Sequence, residues 1–175
     1  MKRGRARLAA LLILFAATAL WLWGDRLNPP EDLHATAARA ADGDSLTLSD
    51  GTAIRLAGID APELHQSCTD SAGAPWPCGR EAQRRLAQWV ATGAIHCRAT
   101  STDRYGRRIA RCSAATQPDL GEAMVAAGLA VTPSVRGETG YDDAQDRARA
   151  ARRGIWQGPF QMPADWRADN PRPAR

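Results

Sequence analysis

Two Asp-Gly steps, Asp42-Gly43 and Asp50-Gly51, cut the segment from residue 35 to 59 into three short runs, Ala35–Ala41, Ser45–Ser49 and Thr52–Ile59. Asp-Gly between candidate strands is a strong hairpin signal, because both residues tolerate the positive φ that tight turns require. In the middle run Leu46 and Leu48 alternate with Ser45, Thr47 and Ser49, the two-residue period of a half-buried strand. Ala61-Pro62 ends the third run, since proline has no N–H for a strand ladder. Ile95–Thr100 and Arg107–Ser113 predict a second hairpin across Asp103–Gly106. Between the hairpins the period changes. Over Gly79–Thr92, Ala82, Leu86, Trp89 and Val90 form one helical stripe, with Glu81 and Arg85 paired at i,i+4 and Gly93 as the stop. Leu120–Ala127 and Asp142–Arg153 read as further helices, ended by Gly128 and Gly154, and Ile155-Trp156 follow as core residues. The pattern predicts an α+β domain: a five-stranded barrel of OB type with about three helices.

A chain of 175 residues has room for one such domain plus accessory segments. Its net charge of +4 suggests an affinity for nucleic acid, but the distribution of charge removes that argument. Lys2, Arg3, Arg5, Arg7 and Arg26 against Asp25 already supply the whole excess, so everything beyond the first thirty or so residues is formally neutral. Those early basic residues flank an apolar run, Leu8–Trp23, which at roughly 1.5 Å per residue reaches about 24 Å, somewhat short of a ~30 Å hydrocarbon core. With Arg7 snorkelling and Trp21 and Trp23 at the interface, one span is feasible, with the N-terminus cytoplasmic and the remainder exported. Ala17-Thr18-Ala19 resembles a signal-peptide cleavage site, which leaves two readings of the leader open, an uncleaved anchor and a cleaved signal. The expected organisation is therefore an N-terminal helix over 1–24, a proline-containing linker over 25–34, a folded domain over 35–159 and a Pro- and Arg-rich tail over 160–175 whose last ten residues are loosely held.

Four cysteines agree with export into an oxidising, extracytoplasmic space. Their spacings match no common zinc pattern, and no histidine sits at ligand spacing. Three pairings are possible, and local geometry favours the sequential one. Cys97 and Cys112 lie symmetrically about Arg104-Tyr105, as opposed residues of a hairpin do, while Cys68 and Cys78 close a loop containing Pro75-Trp76-Pro77. Each bridge contributes about 3 kcal/mol if unstrained.

The chemistry-bearing residues cluster around the turns. Asp42 and Asp44 flank Gly43, and Asp60 and Glu63 bracket Ala61-Pro62. Hard cations such as calcium take several oxygen ligands, which carboxylates at strand ends can supply. An EF-hand loop is excluded, because Leu46 and Thr47 stand where it needs an Asp or Asn and a Gly. Each acid taken alone reads more simply as a turn former or surface carboxylate. Likewise Arg55 and Arg107, each alone, read as solvated arginines, yet two guanidinium groups on one phosphate can hold it and stabilise the charge that grows on its oxygens.

The combination is more specific than its parts. Asp42-Gly43-Asp44-Ser45, then Arg55-Leu56-Ala57-Gly58-Ile59-Asp60-Ala61-Pro62-Glu63, then Asp103-Arg104-Tyr105-Gly106-Arg107, resembles the pattern of the staphylococcal-nuclease-like family, and Gly128-Leu129-Ala130 and Gly154-Ile155-Trp156 resemble its flanking structural features. The resemblance implies a calcium-dependent endonuclease that hydrolyses DNA or RNA phosphodiesters and leaves 3′-phosphate ends. It implies that Asp44, Asp60 and the backbone carbonyl of Ala61 bind Ca2+, with Asp42 an outer acid. It also implies that Glu63 activates the attacking water, Arg55 and Arg107 bind the phosphate, and Arg104 and Tyr105 line the nucleotide pocket. No obligate protein partner is implied.

Departures from the family pattern bear on affinity. Ala61 stands where threonine is frequent, Ser134 and Arg136 stand where the best-known member has nucleotide-contacting tyrosines, and Leu64–Arg80 replaces a lysine-rich loop. Trp76, His65, His96 and the Arg147, Arg149, Arg152 and Arg153 group each read better as structural or solvated residues than as functional ones. The competing class is a non-catalytic OB-fold module of the cell envelope that binds nucleic acid or protein, since fold does not fix function. Coexistence of the metal acids, the base and both arginines favours the enzyme.

Overall fold

The computed structural model describes residues 18, 29–133 and 139–171. Apart from Thr18, the expected membrane or signal helix over Leu8–Trp23 lies outside the described residues, as do Ser134 and Arg136. Among the described residues no helix is long and apolar enough to cross a membrane. The chain divides into two compact units, Met1–Glu31 and Asp32–Arg175.

Six strands form one mixed sheet: β1 (Glu31–Ala35), β2 (Ala38–Ala40), β3 (Ser45–Leu48), β4 (Ala53–Leu56), β7 (Ile95–Thr102) and β8 (Arg108–Ser113), in the order β1-β7-β8-β4-β3-β2. A separate two-stranded ribbon joins β5 (Cys68–Thr69) to β6 (Pro75–Trp76). Four α-helices are described: α1 (Cys78–Val90), α2 (Leu120–Ala126), α3 (Asp142–Ala150) and α4 (Pro163–Asp169), with a 3-10 turn at Gly154–Gln157. The expected five-stranded barrel with about three helices is thus corrected to a six-stranded sheet with four, and no pairing among the described residues closes the sheet. β1 is an added edge strand that the sequence reading assigned to the linker.

Both predicted hairpins form. β3 and β4 pair antiparallel with Ser45 opposite Arg55 and Leu46 opposite Ile54. β7 and β8 pair with Cys97 directly opposite Cys112, and the disulfide that joins them has Cα atoms 4.0 Å apart. β4 is shorter than the expected Thr52–Ile59, because Gly58 turns the chain at φ 77°. The two hairpins meet through a parallel β4–β8 pairing, Ile54 beside Arg108 and Leu56 beside Ala110. Period cannot reveal that contact. It carries the end of β4, with its acids, to the base of the β7–β8 hairpin.

The core follows the predicted stripes. Ala82, Leu86 and Val90 of α1 are buried against Leu46, Ile54, Leu56, Ile95, Leu120 and Met124. Glu81 pairs with Arg84 rather than Arg85, whose guanidinium instead lies 5.7 Å from the Trp89 ring centre. Asp119 caps α2, its carboxylate accepting from the backbone N–H groups of Gly121 and Glu122. A smaller cluster gathers the Cys68–Cys78 disulfide, Val131 and Ile155, with Trp76, Trp156 and Phe160 packed against it. Trp76 therefore covers the disulfide loop. Part of the tail is ordered: α4 forms within it, starting on Pro163, the residue best tolerated at a first helical position.

Candidate active site

The site grows from three backbone placements. At the β2–β3 turn, Asp42 accepts the backbone N–H of Asp44 at 3.0 Å, which fixes the turn and aims Asp44 inward. Gly43 is required there: a Cβ would stand 2.6 Å from the Ala61 Cβ and 2.7 Å from that of Ala82. Beyond β4, Asp60 exchanges both backbone hydrogen bonds with Val131, at 2.8 and 2.9 Å. Glu63 then opens a turn in which its N–H donates to the Gln66 side chain at 3.1 Å and its carbonyl accepts the Gln66 N–H at 2.7 Å. Helix α1 begins so close to this turn that a Cβ on Gly79 would lie 1.8 Å from the Glu63 carbonyl oxygen.

These placements bring the predicted side chains into one hydrogen-bonded line. Arg55 donates through one nitrogen to Asp44 and through the other to Asp60 at 2.9 Å. Asp44 also accepts from the Ser45 hydroxyl at 3.0 Å and from the backbone N–H of Ala61 at 2.9 Å. Arg107 reaches the same Ser45 hydroxyl at 3.3 Å, while its Nε pairs with Asp103 at 2.7 Å. At the other end Arg167 donates to both oxygens of Asp60, each at 2.9 Å, and to Glu63 at 3.1 Å. The order along the line is Arg107, Ser45, Asp44, Arg55, Asp60, Arg167, Glu63.

Arg104 and Tyr105 sit at the tip of the β7–β8 hairpin. The Tyr105 ring is 69 % exposed, with the guanidinium of Arg104 4.9 Å and that of Arg107 5.7 Å from its centre. An exposed aromatic face flanked by two cations is suited to stacking on a flat, electron-rich ring beside a phosphate. His65 is exposed, and His96 on β7 packs edge-on to His34 on β1. Arg149 of α3 lies 5.5 Å from the Trp156 ring centre, and Arg153, beyond the helix, donates to the Ala126 carbonyl.

Electrostatics distinguishes the acids. Asp44 is 2 % exposed, and burial pushes its carboxyl up to about 7 against the opposing pull of Arg55, with Asp42 adding to the rise. Asp103 behaves oppositely: desolvation raises it, but hydrogen bonds from the Arg107 side chain and from the backbone N–H groups of Arg107 and Tyr105 together hold it below the usual carboxylate range. A hard divalent cation suits the first environment. Asp44 and Asp60 supply carboxylate oxygens linked by one guanidinium. Among the described residues no group of three or more His, Cys, Asp or Glu side chains is arranged to hold a metal ion.

Ser45 and Arg167 are the residues that sequence reasoning missed. Ser45 belongs to the quoted motif but had no role, and it couples Arg107 to Asp44. No local signal marks Arg167, an arginine in a Pro- and Arg-rich tail, because its partners lie more than a hundred positions away.

Comparison with known proteins converges on one group. The family model described as staphylococcal nuclease homologue matches residues 53–158. A succinoglycan biosynthesis protein of Rhizobium meliloti is 32 % identical over 121 residues, 69 % of this chain and 63 % of that protein. An uncharacterized endonuclease of Escherichia coli is 29 % identical over 136 residues, 75 % of this chain and 82 % of its own length. A probable endonuclease of Verticillium alfalfae is 30 % identical over 141 residues, 72 % of this chain and 47 % of that protein. The chain thus spans less than two thirds of the first and last of these relatives.

Proposed function

Since the chain belongs to the staphylococcal nuclease homologue family, we propose that it is a calcium-dependent endonuclease that hydrolyses DNA or RNA phosphodiesters and leaves 3′-phosphate ends. The relatives named as endonucleases support the reaction class. The single observation that carries the reading is the hydrogen-bonded line that strings Arg107, Asp44, Arg55, Asp60 and Glu63 together within one site.

On this reading each residue has a distinct task. Asp44, Asp60 and the carbonyl of Ala61 would hold Ca2+, with Asp42 outside them, and the ion when bound supplies a Lewis acid for a phosphate oxygen and offsets the carboxylates. Glu63, a carboxylate beside that pair, accepts the proton of the attacking water. Arg55 is already committed to Asp44 and Asp60, so it presents a fixed positive edge to a phosphate and needs little reorganisation. Arg107 must exchange part of its Asp103 pairing for the phosphate, which ties its action to substrate arrival. Tyr105 and Arg104 offer the adjoining nucleotide a stacking surface. The two disulfides fit an oxidising compartment, so we place the enzyme outside the cytoplasm, reached through the N-terminal segment.

The test is cleavage of DNA and RNA by the purified chain with calcium or with a chelator, followed by analysis of the product ends. Calcium-dependent cleavage leaving 3′-phosphates is expected. Glu63→Gln should slow it by orders of magnitude while the chain stays folded by circular dichroism. Binding of nucleic acid with no cleavage under any calcium concentration would make it a binding module instead.

A further inference from the structure

The proposed chemistry makes no demand on Arg167, yet that residue makes three charge-assisted hydrogen bonds inside the site. Its guanidinium takes both oxygens of Asp60 in a fork and adds one oxygen of Glu63. Those two carboxylates are the ones needed to hold the cation and to accept the proton of water. The chain itself therefore delivers a positive charge to the place where an external cation is required.

The segment that carries Arg167 is fastened lightly. The Pro159 carbonyl accepts from the Thr69 N–H at 3.1 Å, and the Gln161 carbonyl accepts from the Gln66 side chain at 2.7 Å. Phe160 packs edge-on against Trp156 with ring centres 5.1 Å apart, and within α4 only Pro163 is buried. Gln161 and Asp169 close the segment on itself at 2.6 Å, and the Arg167 side chain remains 39 % exposed. A seven-residue helix with one buried residue and a few polar attachments is a local unit able to open without unfolding the sheet. Its strongest anchors are the carboxylates themselves.

We propose that residues 159–171 form an autoinhibitory strap, with Arg167 a tethered competitor of the divalent cation at Asp60 and a block on Glu63. The proposal rests on the nuclease reading of those two acids. A fork that occupies both Asp60 oxygens and a metal ion that needs one of them exclude each other, so cation binding and strap release are linked and reciprocal. A strap closed about 90 % of the time lowers apparent cation affinity roughly tenfold. Nucleic acid adds to the release, because an incoming phosphate offers the guanidinium another oxyanion.

Calorimetric titration of calcium into the full chain and into Arg167→Ala and Arg167→Lys tests this without relying on turnover. Arg167→Ala should bind calcium about tenfold more tightly, and Arg167→Lys should fall between, since lysine keeps the charge and loses the fork. Hydrogen exchange on the unmutated chain provides a second readout. The Trp166 and Asn170 amides, bonded to Met162 and Trp166 in α4, should exchange faster once calcium is added. Equal or weaker calcium binding by Arg167→Ala, or exchange in α4 indifferent to calcium, overturns the strap. If the unmutated chain binds calcium and cleaves DNA while Arg167→Ala behaves identically, only the strap falls. Absence of both binding and cleavage in every chain removes the nuclease reading with it.

Discussion

Arg55 and Arg107 resemble each other in the sequence but occupy unlike environments, and their substitution should separate stability from catalysis. Arg55 is ion-paired with buried Asp44 and opposes the burial-driven rise of its carboxyl, so Arg55→Ala leaves that group without its partner and is expected to lower stability by about 3 kcal/mol as well as abolish cleavage. Arg107 faces Asp103 at a solvent-accessible hairpin tip, so Arg107→Ala should abolish cleavage while leaving the urea midpoint nearly unchanged. Urea denaturation paired with a cleavage assay reads both, and equal loss of stability in the two variants would contradict the difference in environment. Tyr141 offers a pH test away from the acids. Burial first, then the hydrogen bond from its hydroxyl to Asp119 at 2.7 Å, raises the phenol well above its ordinary 10.0. The folded chain therefore keeps that proton after the unfolded chain has lost it, so the stabilisation is complete below pH 10 and fades as pH climbs toward the raised folded value. Tyr141→Phe should be less stable than the parent at pH 8, by about 1–2 kcal/mol, and the gap should narrow by pH 11 in urea unfolding.

At the scale of elements, the turn after Glu63 and the first turn of α1 are built against each other. Gly79→Ala places a methyl group where the Glu63 carbonyl stands, so either the helix start or the turn must move. Overpacking of this kind costs about 1–3 kcal/mol, and because the displaced residue is Glu63, cleavage should fall further than stability alone explains. Denaturation and cleavage measured on the same preparation check this; a stable, fully active Gly79→Ala chain would show that the contact is slack. The helical stripe, the alternating strand and both hairpin turns were legible because each is set by neighbours in sequence. The strap helix α4 was not, since seven residues of low apolar content have no periodic face. Its fold depends on Pro163 finding cover and on Arg167 finding Asp60.

For the molecule as a whole, the acids were legible as a set and their convergence was not. If the site takes calcium, binding to the folded state alone raises stability by mass action, about 2.7 kcal/mol at a hundredfold excess over the dissociation constant. Thermal unfolding with calcium and with a chelator should differ accordingly, and coincident melting curves would argue against a cation at Asp44 and Asp60. The amino-acid order by itself determined the turns, the buried faces and the motif that places the chain in its family, and it favoured the sequential cysteine pairs. These depend on period, on glycine and proline stereochemistry, and on spacing along the chain. Only the tertiary structure decided that, among the described residues, six strands share one sheet that no pairing closes, that β4 and β8 pair in parallel to join the acid turn to the arginine hairpin, and that a tail arginine sits on the candidate base. Those are contacts between segments distant in the chain. They are selected by packing and by charges that must be neutralised once buried, and neither leaves a local trace.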